Sequence, residues 1–201
     1  MLMATVFVDM IGAMIVLPLL PFYVLEMGAK PSIVGPLVSA FFIAQIVFSP
    51  VWGRLSDRYG RRPMILAGLV LSAVAFSLFG LAHTVLLLFL SRLVQGAASG
   101  TVGVVQAYVG DSIHPDERAK ALGWVTACTS AGVVIGPVLG SVAAHFGRSA
   151  PGAFAAGLCL LNFMFAWRWL PESKRHGAGP AAGAARVSVW IRLWEVVRQP
   201  A

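Results

Sequence analysis

Two ionisable residues lie inside apolar stretches that otherwise carry no charge. Asp9 lies in the stretch 1–25, and Arg92 lies in the stretch 85–108. If these stretches cross a membrane, each charge costs roughly 3 kcal/mol or more unless it faces a polar interior. Desolvation favours the neutral form of a carboxylic acid, so Asp9 is a candidate proton site. Arg92 is a candidate for orienting a substrate or a protonatable partner. The alternative for either charge is to reach the membrane surface.

Three uncharged polar residues lie in further apolar stretches, at Gln45, Gln95 and Asn162. Such groups form hydrogen bonds between membrane helices, and they also contact substrates. The sequence leaves both interpretations open. We group the three with Asp9 and Arg92 as a predicted proton and substrate pathway.

A polar segment between two apolar stretches, 53–63, combines turn residues with charge. Asp57 is surrounded by arginines, and this arrangement predicts directed salt bridges. Glycine permits turns that other residues resist, and Pro63 suits the first turn of a following helix. The residues of interest in this segment are Gly53, Asp57, Arg58, Gly60, Arg61 and Arg62.

A glycine face recurs in a later apolar stretch, where Gly132, Gly136 and Gly140 are spaced by four residues. This spacing places them on one side of a helix and predicts close packing against another helix. Pro137 removes one backbone hydrogen bond and predicts a bend.

These residues must be positioned by membrane-spanning helices. The chain has 201 residues, of which 58% are hydrophobic and 11% are charged, whereas soluble domains carry about 25% charged residues. A spanning helix needs about 20 apolar residues, and the long runs do not alternate as barrel strands would. We predict six helices, at about 1–25, 31–53, 63–80, 85–108, 121–147 and 149–167. The predicted fold class is an all-α membrane protein.

The 15 lysines and arginines are distributed unevenly between the two sides. Lys30 and Arg148 fall in loops of one side, Arg92 falls within a helix, and all the others fall on the opposite side. Because basic loops remain cytoplasmic, both termini are predicted to be cytoplasmic. A basic face beside anionic lipid accounts for the net charge of +7 without a nucleic-acid partner.

Two regions are predicted along the chain, a transmembrane bundle at 1–170 and a cytoplasmic segment at 171–201. The second contains a small-residue linker, 177–185, and a segment with amphipathic spacing, 186–198. That spacing is typical of a helix lying on the membrane surface. A weakly helical end of the chain accounts for it equally well.

Sequence patterns for other chemistry are absent. The chain has no G-x-x-x-x-G-K-[ST] segment for nucleotides, no H-E-x-x-H zinc pair and no G-x-S-x-G serine. The two cysteines, Cys128 and Cys159, lie in apolar runs and predict neither a disulfide framework nor a metal site. We therefore expect no enzyme, no catalytic residue, no metal and no cofactor.

Four of these segments, in order, resemble the major facilitator superfamily and its drug:proton antiporter branch. The segment 53–62 resembles the G-x-L-x-D-R-x-G-R-R signature, and 92–96 resembles R-x-x-Q-G. The segment 132–140 resembles G-x-x-x-G-P-x-x-G, and Asp9 with Gly12, Pro18 and Pro21 resembles the D-x-x-G…P-x-x-P pattern. The likeness to tetracycline efflux pumps covers nearly the whole chain.

The resemblance implies the amino-terminal half of a twelve-helix transporter, built as a three-plus-three repeat. It implies export of a small drug-like or hydrophobic molecule in exchange for protons, with the proton gradient in place of a cofactor. The implied partners are the lipid bilayer, the substrate and a second six-helix half, in a bacterial inner membrane.

The resemblance also implies a cytoplasmic latch in the segment 57–62, in which Asp57 and Arg58 pair with charges such as Asp111 or Arg118. The third helix has Ala75 where many tetracycline pumps carry an acid, so tetracycline is not the expected substrate. A proton-independent facilitator or a symporter of sugars or metabolites is one alternative. A half-length membrane protein with no transport activity of its own is the other.

Overall fold

The computed structural model describes residues 2–171, which form eight α-helices and two short 3-10 turns. The helices are α1 (Leu2–Val16), α2 (Leu20–Glu26), α3 (Val34–Tyr59), α4 (Arg61–Gly80), α5 (Val85–Ala98), α6 (Thr101–Ser112), α7 (Pro115–Ala144) and α8 (Ala150–Trp169). The predicted linker at 177–185 and the predicted helix at 186–198 lie outside the described residues.

The helices combine into six candidate membrane spans within the described part of the chain. They are, from first to sixth, Leu2–Glu26, Pro31–Tyr59, Arg61–Gly80, Val85–Ser112, Pro115–Ala144 and Ala150–Trp169. The predicted break at 80–84 is confirmed, because one helix ends at Gly80 and the next begins at Val85. The all-α fold with six spans is thus confirmed.

The predicted loop between the second and third spans is mostly helical, which corrects the expectation of a turn at Gly53. Helix α3 continues to Tyr59, and only Gly60 interrupts the chain before α4 begins. The backbone of Gly60 has φ 104° and ψ 159°, a combination that is essentially restricted to glycine. The polar side chains of this segment do not end helix α3, because continuing the helix pairs each backbone N–H and C=O group within the helix itself.

Two spans contain irregular turns. The first span tightens into a 3-10 turn at Leu17–Leu19, beside Pro18 and Pro21, which cannot donate backbone hydrogen bonds. The fourth span breaks at Ser99 and Gly100, between α5 and α6. Helix α7 contains Pro137 and remains a single helix.

The pairing of the spans has an internal symmetry. The first span packs against the fifth, the second against the fourth, and the third against the sixth, while the third also touches the fourth and the sixth touches the first. Exchanging the first three spans with the last three leaves this set of neighbours unchanged. The packing therefore agrees with a three-plus-three repeat.

Two hydrophobic clusters fill the bundle, one near each end. The cluster at the arginine-rich end, called the basic end, contains Val6, Leu69 and Val104, and the cluster at the opposite end contains Ile11 and Ala73. Each span passes from one cluster to the other along its length. The residues at the changeover are mostly polar and buried, and they include Asp9, Ser72, Arg92, Gln95 and Asn162.

The outer surface is apolar along the helices. Large side chains such as Ile46, Val134 and Leu160 are exposed on three different spans. Apolar surface of this extent suits contact with lipid tails or with other membrane helices. The chain is an integral membrane protein.

Candidate functional site

A cavity with two adjoining lobes lies at the level of the buried polar residues. The larger lobe has a volume of about 170 Å³ and is lined by Asp9, Gln45 and Ser72, among others. The smaller lobe has a volume of about 40 Å³ and is lined by Arg92 together with apolar side chains. The lobes share the walls formed by Ala13, Met14, Phe41, Phe42 and Gln95. We call them the Asp9 lobe and the Arg92 lobe.

Asp9 lies in the first span and is only 8% exposed. The hydroxyl of Ser72, in the third span, donates a hydrogen bond of 3.2 Å to its Oδ1 atom. Gly12, one turn further along the first span, packs against the ring of Phe76. A Cβ atom at this glycine would lie 2.7 Å from that ring. The small residue therefore lets the first span lie close to the third and keeps Asp9 beside Ser72.

Arg92 lies in the fourth span and is 3% exposed. Its guanidinium carbon lies 5.2 Å from the centre of the Phe79 ring, a distance suited to a cation–π contact. Its Nε and Nη2 atoms are buried, and neither has a hydrogen-bond partner among the described residues. The predicted burial of Arg92 is confirmed, since its depth excludes an easy route to the membrane surface.

The predicted pathway residues do not all come together. Gln45 and Gln95 line the cavity with Asp9 and Arg92. Asn162 does not line either lobe, and its Nδ2 atom lies 3.5 Å from the backbone oxygen of Thr5 in the first span. Of the two interpretations that the sequence left open, the hydrogen bond between helices describes Asn162.

Arg61 forms the centre of the ion-pair network at the basic end. Its Nη1 atom lies 2.7 Å from Oδ1 of Asp57, and its Nε atom lies 2.9 Å from Oδ2 of Asp111. Arg118 donates its Nε hydrogen to the backbone oxygen of Ile113 at 2.9 Å. Asp111 is thus bound by Arg61, which opens α4 and reaches the end of the fourth span.

The glycine face of the fifth span lies directly on the first span. A Cβ atom at Gly132 would lie 2.8 Å from Cβ of Met10, and one at Gly140 would lie 2.8 Å from the backbone oxygen of Ile15. Gly136 is similarly close to Met14. The predicted close packing is confirmed, and the partner is the helix that carries Asp9.

A cluster at the opposite end was missed by the sequence analysis. Arg148, in the turn before the sixth span, lies 3.1 Å from the carboxylate of Glu26 and donates to the backbone oxygen of Ala82 at 2.8 Å. The hydroxyl of Tyr23 donates to the backbone oxygen of Arg148, whose guanidinium lies 5.3 Å from the centre of the Tyr23 ring. A sequence signal existed, because Phe146-Gly147-Arg148 repeats the pattern of Tyr59-Gly60-Arg61.

Six spans around a charged internal cavity define a polytopic membrane transporter fold. The family description "Major Facilitator Superfamily" matches residues 2–201. The chain therefore belongs to the major facilitator superfamily, whose members are transporters and not enzymes.

Several curated relatives are efflux proteins. The chain is 37% identical over 161 residues to Multidrug resistance protein 2 of Bacillus subtilis (strain 168), an alignment covering 80% of this chain and 40% of the relative. It is 32% identical over 188 residues to the class G Tetracycline resistance protein of Vibrio anguillarum, covering 92% and 48%. The chain thus spans less than half the length of these relatives.

Solved structures agree on the fold. The human organic anion transporter MFSD10 (TETRAN) matches with a TM-score of 0.75 at 22% identity, covering 87% of this chain and 47% of that one. The proton:xylose symporter XylE matches with a TM-score of 0.64 at 20% identity, covering 86% and 39%.

Proposed function

We propose that this chain forms half of a transporter that exports a small drug-like or hydrophobic molecule in exchange for protons, by alternating access. The observation that carries the proposal is the pair Asp9 and Arg92, two opposite charges buried in one cavity midway along the spans. Because charges buried at this depth are costly, they usually mark ion or substrate pathways. The multidrug and tetracycline resistance relatives support export of a drug-like molecule.

Asp9 is the proposed proton site. Its carboxylate lines the larger lobe, and the Ser72 hydroxyl fixes its orientation. A protonated Asp9 presents a neutral wall, whereas an ionised Asp9 presents a negative one. A substrate that binds better when Asp9 is ionised competes with the proton for this residue. The competition couples movement of the substrate in one direction to movement of the proton in the other.

Arg92 is the proposed substrate-orienting residue, and Gln45 and Gln95 are further contacts in the same cavity. The cavity is smaller than the range of about 300–1,000 Å³ that drug-sized ligands occupy. We propose that a second six-helix half supplies the remaining wall, as in transporters that bind substrate between two halves.

The proposed orientation places the basic end, with both termini, in the cytoplasm of a bacterial cell and the spans in its inner membrane. The ion pairs of Arg61 with Asp57 and Asp111 join the ends of the second, third and fourth spans. We propose that this network is a latch that holds one access state. The glycine face of the fifth span gives the first span a smooth surface to move along.

The test measures transport by the full-length protein in everted membrane vesicles, with ethidium as the fluorescent probe. An imposed proton gradient should drive ethidium into wild-type vesicles. Asp9→Asn should abolish this proton-driven uptake and retain exchange of ethidium between the two sides of the vesicle membrane. Asparagine has a similar shape to aspartate but cannot bind and release a proton. Asp116→Asn is the matched control, since Asp116 is exposed in the first turn of the fifth span, at the basic end and away from the cavity.

The outcomes separate the proposal from its alternatives. Full proton-driven uptake by Asp9→Asn would contradict the role of Asp9. A wild-type protein that equilibrates the probe and ignores the gradient would be a facilitator. Absence of any movement in well-inserted protein would favour a membrane protein without transport activity.

A further inference from the structure

The two fully buried nitrogen atoms of Arg92 that lack a partner form one edge of its guanidinium group. Nε and Nη2 carry N–H bonds that point in the same direction, parallel to each other in the plane of the group. This edge matches the two oxygens of a carboxylate in a bidentate pair. Both atoms are buried and have no hydrogen-bond partner among the described residues. The two fully buried donors of Arg92 that lack a partner are therefore the two that a single carboxylate would satisfy together.

The surroundings of this edge contain little that could replace such a ligand. One face of the guanidinium is covered by Phe79, and the walls of the Arg92 lobe are apolar apart from Arg92 and Gln95. The amide oxygen of Gln95 is also buried without a partner. Rotation of this amide would place its NH₂ group where its oxygen now lies and supply a third donor. A buried charge with no partner is strongly unfavourable, so this arrangement is suited to receive an anion.

Asp9 does not satisfy Arg92. Its carboxylate lines the other lobe and accepts a hydrogen bond from Ser72, and no ion pair joins it to Arg92 within the part of the chain that the structure describes. We infer that the Nε–Nη2 edge of Arg92 is the docking site for a carboxylate of the transported molecule. The inference deepens the proposed function and rests on it.

The two lobes together define a class of substrate. The Arg92 lobe has room for a small polar group, and the shared walls of Met14, Phe41 and Phe42 suit an apolar or aromatic body. The Asp9 lobe favours a positive group when its carboxylate is ionised. The molecule that fits both lobes is an amphipathic zwitterion, with its carboxylate on Arg92 and its amine in the place of the proton on Asp9.

The test compares two probes that differ only at the acid group, 6-(aminomethyl)-2-naphthoic acid and its primary amide. Binding of each is measured by fluorescence with full-length protein in lipid nanodiscs at neutral pH. Wild-type protein should bind the acid about tenfold or more tightly than the amide, since charge-assisted hydrogen bonds are among the strong ones. Arg92→Met should remove this preference and leave binding of the amide nearly unchanged.

Two further variants sharpen the test. Arg92→Lys keeps the charge and loses the bidentate edge, so part of the preference should remain. Arg168→Met is the matched control, because Arg168 is an exposed arginine at the end of the sixth span, and it should keep the full preference.

Two results would overturn the inference. The first is equal binding of acid and amide by wild-type protein. The second is an unchanged preference in Arg92→Met, whether both probes still bind or both are weakened by the same factor. Uptake of the acid into everted vesicles distinguishes failure of the proposed function. A protein that binds the acid through Arg92 and does not accumulate it when a proton gradient is imposed contradicts only the export mechanism.

Discussion

The turns before the third and sixth spans occupy equivalent places in the two halves of the repeat and lie at opposite ends of the bundle. Each has an aromatic residue, a glycine with positive φ and an arginine. The glycines are Gly60, with φ 104°, and Gly147, with φ 118°. Arg61 binds Asp111 at the end of the fourth span, and Arg148 binds Glu26 at the end of the first span. One arrangement is therefore present twice, once at each end.

The two turns differ in how each arginine is held. Arg61 binds two exposed carboxylates, and its Nη1 atom also donates to the buried hydroxyl of Ser56. Arg148 binds one carboxylate, one backbone oxygen and one aromatic ring. The comparison indicates that Arg61 is held by side chains that can exchange partners, whereas Arg148 is also held by the backbone of the loop after the third span, at Ala82.

The largest expected effect on transport comes from breaking the ion pairs at the basic end. We expect Asp57→Asn to reduce proton-driven ethidium uptake severalfold while leaving membrane insertion intact, because an exposed ion pair adds only about 0.2–1 kcal/mol to stability. Uptake in everted vesicles and the amount of folded protein in the membrane provide the two measurements. Glu117→Gln, at another exposed carboxylate of the basic end, is the control. Normal uptake by Asp57→Asn would show that the network is not a latch.

A smaller effect on transport is expected from Arg148→Gln, which removes the contacts of Arg148 with Glu26 and Ala82. Hydrogen bonds to charged groups contribute about 1.5–3 kcal/mol, so we expect a clear loss of thermal stability and a smaller loss of uptake than in Asp57→Asn. Thermal unfolding of the purified protein, followed by tryptophan fluorescence, measures the first quantity. Arg168→Gln is the matched control. A loss of uptake as large as that of Asp57→Asn would show that both ends act as latches.

The smallest effect is expected from Glu26→Gln. The Glu26 side chain is 56% exposed, and glutamine still offers an acceptor to Arg148. The pair should contribute about 0.2–1 kcal/mol, and the difference from wild type should fall further in roughly 1 M salt, which screens exposed charges. Thermal unfolding at low and high salt measures both. A loss of thermal stability that is independent of salt and larger than that of Arg148→Gln would show that Glu26, and not Arg148, makes the main contribution to stability at this end.

The fold was predictable from the sequence because the membrane requires it. Long apolar runs in lipid form spanning helices, and the longest of them, which exceeds the length of one span, was correctly divided at 80–84. The buried charges were also predictable, since Asp9 and Arg92 stand alone in apolar surroundings. The close contact of the fifth span was predictable from glycine spacing, which places Gly132, Gly136 and Gly140 on one face of the helix.

The partners of these residues were not predictable, because they depend on contacts between distant parts of the chain. Arg61 and Asp111 are 50 positions apart, and several arginines nearby have the same charge. Arg148 resembles an ordinary loop charge until its neighbours Tyr23 and Glu26 are placed beside it. Asn162 has the same residue type whether it binds substrate or another helix, and only packing distinguishes the two.

The break in the fourth span has a mechanical consequence. Gly100 lies against the ring of Trp52 in the second span, and the indole Nε1 atom of Trp52 donates to the backbone oxygen of Ala97 at 2.5 Å. The Ala97 carbonyl is freed by the helix break, and no water is available to it in lipid. Separating the second span from the fourth would therefore leave this carbonyl without a hydrogen-bond donor. Trp52 thus joins the second span to the fourth by a hydrogen bond, whereas the fifth span meets the first through its glycine face. Sliding of the first span along the glycine face would be opposed there by van der Waals packing, whereas moving the second span from the fourth would break a hydrogen bond.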